Sequence, residues 1–168
     1  VNTGNYIFPA EIFDSIPEGV GCDFGRDLFP ALINEGKPVV SFCTDSYWCD
    51  IGDCASYYEA NMRQTGGENS AEPGCIAEGA DVRSSVVMKG CTVAPGARID
   101  GAVLCPGVKV GDGADIGKGC VIGDSSVIGA GAVVGEETGK IAVVGHNAVI
   151  PAGDKVAAGV QVDASAQQ

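Results

Sequence analysis

The feature that most constrains this chain is a six-residue period. In the stretch VGDGADIGKGCVIGDSSVIGAGAVVG, residues 110–135, an aliphatic side chain returns at Val110, Ile116, Ile122, Ile128 and Val134. Glycine follows each one, at Gly111, Gly117, Gly123, Gly129 and Gly135. Two positions before each aliphatic sits a compact residue: Val108, Ala114, Cys120, Ser126, Ala132. A helix with 3.6 residues per turn would not return one block position to one face, so three positions locked to one period indicate a stacked unit. The physical reading is a coiled parallel β-solenoid. Each hexapeptide makes a short strand and a turn, with the aliphatic and the compact residue pointing into a narrow interior. Glycine serves the turn, where a Cβ would crowd or φ turns positive. One coil cannot bury its apolar side alone, so the unit is stable only as an array.

The pattern resembles the left-handed parallel β-helix of hexapeptide-repeat proteins. The hand follows from that resemblance, since the usual crossover preference is right-handed. Upstream, the predicted inward aliphatics are Ile76, Val82, Met88, Val93, Ile99 and Leu104. Their compact partners are Gly74, Ala80, Val86, Cys91, Ala97 and Ala102. The steps from Met88 to Val93 and from Ile99 to Leu104 are five residues, which predicts tighter corners. Downstream the register skips ten residues, from Val134 to Val144, and resumes at Ile150, Val156 and Val162. Glu136, Glu137, Thr138, Gly139 and Lys140 in the skip read as a polar loop extruded from one corner. At about 18 residues per triangular coil, residues 75–163 make roughly five coils.

The 168 residues suffice for one large or two small domains. A net charge of −12 argues against nucleic-acid and anionic-membrane surfaces, because no basic patch exists to neutralise phosphates. No apolar run is long enough for a transmembrane helix, and the opening residues do not read as a signal peptide. The eight cysteines include no C-x-x-C pair. Cys91 and Cys120 fall in the compact inward slot. Buried reduced thiols in a cytoplasmic protein are the expectation.

Before the solenoid the pattern changes. VNTGNYIF and PVVSFC (residues 38–43) read as strands. PAEIFDSI reads as a short helix opened by Pro9. Asp23 is a candidate N-cap for FGRDLFPALINEG, which ends at Gly36 and which Pro30 kinks or restarts. Asp53 is a candidate N-cap for CASYYEANMR. QTGGENSAEPG has linker composition. The predicted organisation is an α/β piece over 1–64, a linker at 65–74, the solenoid at 75–163 and a tail at 164–168.

NTGNYIF, DFGRDLFP and YWCDIGD, in this order and followed by a hexapeptide tail, resemble the C-terminal part of sugar-1-phosphate nucleotidyltransferases, the NDP-sugar pyrophosphorylases. The wording of YWCDIGD and NTGNYIF is nearest to mannose-1-phosphate guanylyltransferases. DFGRDLFP and KIAVVGHNAVIPAG are also similar to glucose-1-phosphate adenylyltransferases. The resemblance implies a C-terminal piece of an α/β nucleotidyltransferase domain followed by a left-handed β-helix. It implies the reaction of a nucleoside triphosphate with a sugar 1-phosphate to give NDP-sugar and pyrophosphate, with Mg²⁺ as cofactor and a homo-oligomer as assembly. It further implies a glycine-rich triphosphate loop with a basic residue, which this sequence does not contain ahead of Val1. The expectation is therefore a sugar-phosphate half-site that is inactive alone.

Asp50 in YWCDIGD matches the family aspartate that holds the metal near the sugar phosphate, whose charge offsets repulsion between phosphoryl groups. Its bland alternative is a turn aspartate. Asp53, in contrast, reads as a helix cap. Asn2 matches a family position that reaches a sugar hydroxyl, for which an amide offers donor and acceptor, and Gly4 allows close sugar approach. Asn5 departs from the apolar residue usual there. Asp23 matches a sugar-site carboxylate but is equally a helix cap. Arg26 reads as a surface residue, and Trp48 as pocket wall or core. His146, the single histidine, sits outward in a turn. Catalysis by it would require the acyltransferase chemistry of other hexapeptide proteins. A purely structural, oligomerising solenoid is the remaining alternative.

Overall fold

The computed structural model describes residues 2–135 and 140–163. Residues 136–139 of the predicted polar loop and the predicted tail at 164–168 lie outside the described residues, as does Val1. The chain divides into two units, Val1–Trp48 and Cys49–Gln168.

The second unit is a parallel β-solenoid of about five coils, the architecture of the left-handed β-helix. Three sheets form its sides. The first runs β1 (Ser70–Ala71), β3 (Val86–Val87), β6 (Ala102–Leu104), β9 (Cys120–Ile122), β12 (Ala142–Val144), β15 (Gln161–Val162). The second contains β4 (Thr92–Val93), β7 (Lys109–Val110), β10 (Val127–Ile128) and β13 (Val149–Ile150). The third contains β2 (Asp81–Arg83), β5 (Arg98–Asp100), β8 (Asp115–Ile116), β11 (Val133–Val134) and β14 (Lys155–Val156). All pairings are parallel, and equivalent residues stack in register: Leu104 on Ile122, Ile122 on Val144. Ile99, Ile116, Ile122, Ile128, Val134 and Val144 are fully buried, with Ala114, Cys120, Ser126 and Ala132 beside them.

The glycines after the aliphatics act by close approach. A Cβ on Gly129 would lie 2.5 Å from the Ala152 amide nitrogen of the next coil. Two residues on, Gly131 answers a different need, with φ at +64° in the left-handed region.

One upstream assignment is corrected. Val87, not Met88, is the inward residue: Val87 is 2% exposed and pairs with Leu104, while Met88 is only half-buried. Its compact partner is Ser85, not Val86. The Ser85 hydroxyl donates to the Arg83 carbonyl and accepts from the Ala102 amide, which satisfies a buried polar atom. The five-residue steps are thus Val82 to Val87 and Ile99 to Leu104. Both fall on the corner between the third and first sheets, where the ten-residue skip also falls.

Helix α2 (Cys54–Thr65) belongs to this unit. Asp53 caps it through a reciprocal bond pair with Ser56, and Gly66 ends it at φ +63°. The helix packs over β3, β6 and β9. It covers the outward side chains Val86, Val103 and Val121, which are 7%, 0% and 5% exposed. The Tyr58 hydroxyl donates to the Gly101 carbonyl at 2.8 Å. The Tyr57 hydroxyl lies 3.8 Å from Cys105 Sγ, and burial pushes its pKa up to about 12. The division at Trp48 thus precedes the boundary predicted at 64, because α2 covers apolar surface on the solenoid.

The first unit has no strand among its described residues. The two segments expected as strands, 1–8 and 38–43, lack partners for their ladders among these residues, and Val40 and Phe42 are 91% and 95% exposed. A 3₁₀ turn, Ala10–Ser15, follows Pro9. A single π-helical turn, Phe24–Leu28, leads into α1 (Phe29–Asn34), which Pro30 starts. Gly36 closes α1, with the Lys37 amide returning to the Leu32 carbonyl. Tyr6, Phe8, Phe24 and Phe29 form a ring cluster, Tyr6 meeting Phe29 edge-on at 5.0 Å. Among the described residues of this unit, only Leu28 and Leu32 are buried.

Candidate functional site

Asn2, Gly4, Tyr6, Cys22, Asp23, Phe24 and Gly25 line an open cavity of about 490 Å³ in the first unit. Local hydrogen bonds orient its polar groups. The Gly4 amide and the Tyr6 hydroxyl both donate to Asn2 Oδ1, each at 3.0 Å. This leaves Asn2 Nδ2 with no acceptor among the described residues. Tyr6 is held in turn by the ring cluster. Asp23 caps the turn after it, Oδ1 accepting from the Arg26 amide at 2.7 Å. Asp27 Oδ2 reaches back to the Asp23 amide at 2.9 Å. Arg26 grips Asp27 by Nε at 3.0 Å and, with the Asp23 amide, holds its carboxyl below the usual range. Asp23 therefore both caps the turn and lines the cavity. Arg26 is exposed and paired with Asp27, as a surface residue.

Asp50 and Asp53 lie in the second unit and differ sharply. Asp53 Oδ1 accepts from the Ser56 amide at 2.7 Å and the Ser56 hydroxyl at 2.8 Å. The amide, then the hydroxyl, lower its pKa. Asp50 is exposed, and its carboxylate takes no hydrogen bond among the described residues; only its backbone carbonyl is engaged, by the Cys49 thiol. One carboxylate is committed to the fold and the other is available. No three His, Cys, Asp or Glu side chains converge on one point among the described residues. Asp50 thus belongs to no cluster of three such side chains, and it fits an ion such as Mg²⁺, whose octahedron phosphates and waters can complete. Trp48 is 41% exposed and outside the core. His146 is exposed at a solenoid corner, with no side-chain hydrogen bond among the described residues.

All eight cysteines are free. Cys75, Cys91, Cys105 and Cys120 are buried, and desolvation pushes Cys120 up to about 12. No helix among the described residues is long and apolar enough to cross a membrane.

A family described as GlmU-like, C-terminal hexapeptide, matches residues 57–141, and one described as nucleotidyl transferase matches residues 1–66. By a match over half of its length, the chain belongs to the GlmU-like, C-terminal hexapeptide family, and its first 66 residues are similar to nucleotidyl transferases. It is 32% identical, over 121 aligned residues, to glucose-1-phosphate adenylyltransferases of Bacillus thuringiensis (strain Al Hakam), Bacillus mycoides (strain KBAB4) and Bacillus anthracis. The alignments cover 53% of this chain and 32% of each relative, so the chain spans about a third of their length. The nucleotidyl transferase match falls on the cavity and on both aspartates; the hexapeptide match covers most of α2 and the coils.

Sequence reading missed Tyr6, Cys22, Phe24 and Gly25 as cavity residues. Tyr6 and Gly25 stand inside motifs that drew attention to Asn2 and Asp23. The signal for α2's seat was also present. In VV, AVL, CVI and AVV, four successive strands of one face carry valine at the outward position, where the other two faces mix Val127, Val133 and Val149 with Thr, Lys, Asp and Arg.

Proposed function

We propose that this chain supplies the sugar-phosphate side of a sugar-1-phosphate nucleotidyltransferase, which joins a nucleoside triphosphate to a hexose 1-phosphate and releases pyrophosphate. The observation that carries this reading is the coincidence of the nucleotidyl transferase match with the segment that forms the cavity. Asn2 offers amide hydrogens to a sugar hydroxyl, Asp23 offers a carboxylate, and Gly4 keeps that wall low. Asp50 holds Mg²⁺ through its one available carboxylate. When bound, the ion neutralises charge on the phosphates. Glucose 1-phosphate with ATP is the first pair to test, because the matched relatives bear that name. Mannose 1-phosphate with GTP is the second, on the wording of YWCDIGD.

We place the protein in the cytoplasm, in keeping with its free thiols. We also expect self-association, supported by exposed Ile7, Val40 and Phe42. Sedimentation at high concentration tests this, and a clean monomer contradicts it. The functional test is pyrophosphate release by the protein as its gene encodes it, with each sugar phosphate and nucleotide pair, before and after chelation. Turnover that stops with the chelator and returns with Mg²⁺ supports the reading. No pyrophosphate from any hexose 1-phosphate refutes it.

A further inference from the structure

Helix α2 buries none of its own residues fully, although it covers three valines of the solenoid. Two adjacent tyrosine hydroxyls tie its first two turns to the coils, and the two ties differ. Tyr57 meets sulfur, Cys105 Sγ at 3.8 Å and Met88 Sδ at 4.0 Å, and sulfur is a weak partner. Tyr58 donates to the Gly101 carbonyl at 2.8 Å. That carbonyl already accepts from the Gly119 amide of the next coil at 3.0 Å. The coil is therefore satisfied without Tyr58, and the bond serves the helix. Five residues of helix separate Tyr58 from the cap residue Asp53, about 8 Å at 1.5 Å per residue. The reciprocal bonds between Asp53 and Ser56 fix that end. Just ahead of it, a Cβ on Gly52 would lie 3.9 Å from Asp50 Oδ2, so the Asp50 carboxylate rests beside the residue that precedes the cap. A short, well-held path thus runs from Gly101 through Tyr58 and the first turns of α2 to Asp50.

We infer that Tyr58 is a positioning residue for the metal: by pinning α2 to Gly101 it fixes where the Asp50 carboxylate stands, and the solenoid thereby serves as the mount of a metal ligand. The inference rests on the reading of Asp50 as a Mg²⁺ ligand and assigns that ligand its support. The Asp50 carboxylate takes no hydrogen bond among the described residues, so its place is set by the backbone that leads into α2. Mg²⁺ demands near-ideal octahedral geometry, and a helix free to shift on the coils presents the carboxylate out of place. Tyr58→Phe removes one oxygen, keeps the ring between helix and coil, and leaves Gly101 bonded to Gly119, so it is compatible with the fold. Tyr57→Phe, which removes only contacts to sulfur, provides the control.

The experiment compares the parent protein as its gene encodes it with Tyr58→Phe, Tyr57→Phe and Asp50→Asn, by two readouts. One is pyrophosphate release across a Mg²⁺ titration, with the best pair of hexose 1-phosphate and nucleotide. The other is Mn²⁺ binding in the presence of the hexose 1-phosphate, followed by loss of the free-ion electron paramagnetic resonance signal. Tyr58→Phe should raise the Mg²⁺ concentration for half-activation roughly tenfold, the low end for groups that orient a metal ligand, and weaken Mn²⁺ binding by a similar factor. The kcat at saturating Mg²⁺, the KM for the sugar phosphate and the melting temperature should stay near those of the parent. Tyr57→Phe should match the parent throughout. Half-activation of Tyr58→Phe within about twofold of the parent overturns the inference. So does an equal rise in Tyr57→Phe, or a Tyr58→Phe chain that melts early or does not fold, since the hydroxyl would then support the coils rather than the metal. In each of these cases a shifted Asp50→Asn leaves the metal reading standing. An Asp50→Asn protein with the Mg²⁺ dependence of the parent removes that reading and this inference together, as does a parent that releases no pyrophosphate.

Discussion

The two units handle buried surface in opposite ways. In the solenoid each strand lies on an equivalent strand of the next coil, and its inward residues are sealed by the coils above and below. In the first unit two leucines are buried, four aromatic rings cluster, and the segments expected to form strands pair with nothing described. The difference teaches where each kind of information resides. A periodic array is stable through contacts with its sequence neighbours, so its stability is local and repeats. The cavity depends on short-range hydrogen bonds, Asn2 to Gly4 and Tyr6, Asp23 to Arg26, that orient a few polar groups without a large core.

The sharpest way to break this contrast is a charge in the array. Ile122 is fully buried at the middle of the stack. Ile122→Asp loses roughly 1.5–3 kcal/mol of burial and adds an unpaired charge, for a total above about 4 kcal/mol. Circular dichroism should show the β signal lost or melting far earlier. A parent-like melt would mean that the inward register is wrong.

Next come the glycines. Gly129→Ala drives a methyl into the backbone of the following coil and should cost about 1–3 kcal/mol. Gly21→Ala in the first unit meets nothing within 4 Å and should shift stability by less than about 0.5 kcal/mol. Equal effects in denaturant titrations would erase the distinction between close-packed corners and open turns.

The smallest expected effect is alkaline. Burial raises Cys120 from an ordinary value near 9 to about 12, and Tyr57 from 10 to about 12. Both are favoured neutral in the folded chain, so their contribution is complete below pH 9 and is lost as pH rises from about 9 toward 12. Thermal melts should be flat in this respect below pH 9 and fall above it. Cys120→Ala should start lower, by about 1 kcal/mol for the small void, yet fall less steeply. An equally steep fall in the variant would show that Cys120 is not the titrating group.

The solenoid was legible because its constraint is written once per six residues; one error in a block, Met88 for Val87, is exposed by the next. The helix caps were legible because Asp53 and Gly36 act on their own neighbours. The strands predicted at either end of the first unit were not, since a ladder requires a partner that propensity does not name. The seat of α2 on the solenoid was not legible because periodicity was sought for inward residues only, while Val86, Val103 and Val121 face outward. Asn2, Gly4, Asp23 and Asp50 came from motif resemblance. The structure places the first three around one cavity and leaves the fourth carboxylate unengaged among the described residues; Tyr6 and Gly25 stand in the same motifs but are seen to line the cavity only in the folded chain.

The central claim is a division of labour between two carboxylates of one short motif: Asp53 builds the helix and Asp50 serves chemistry. Steady-state pyrophosphate release across a Mg²⁺ titration tests it, with Asp50→Asn and Asp53→Asn made in the protein as its gene encodes it. Asp50→Asn should slow turnover roughly a thousandfold, the equivalent of about 4 kcal/mol in the barrier. Excess Mg²⁺ should restore part of the rate, and the melting temperature should not change. Asp53→Asn should turn over normally, since asparagine caps a helix about as well as aspartate. Normal turnover in Asp50→Asn beside a dead Asp53→Asn would put the metal on the other carboxylate and contradict the account.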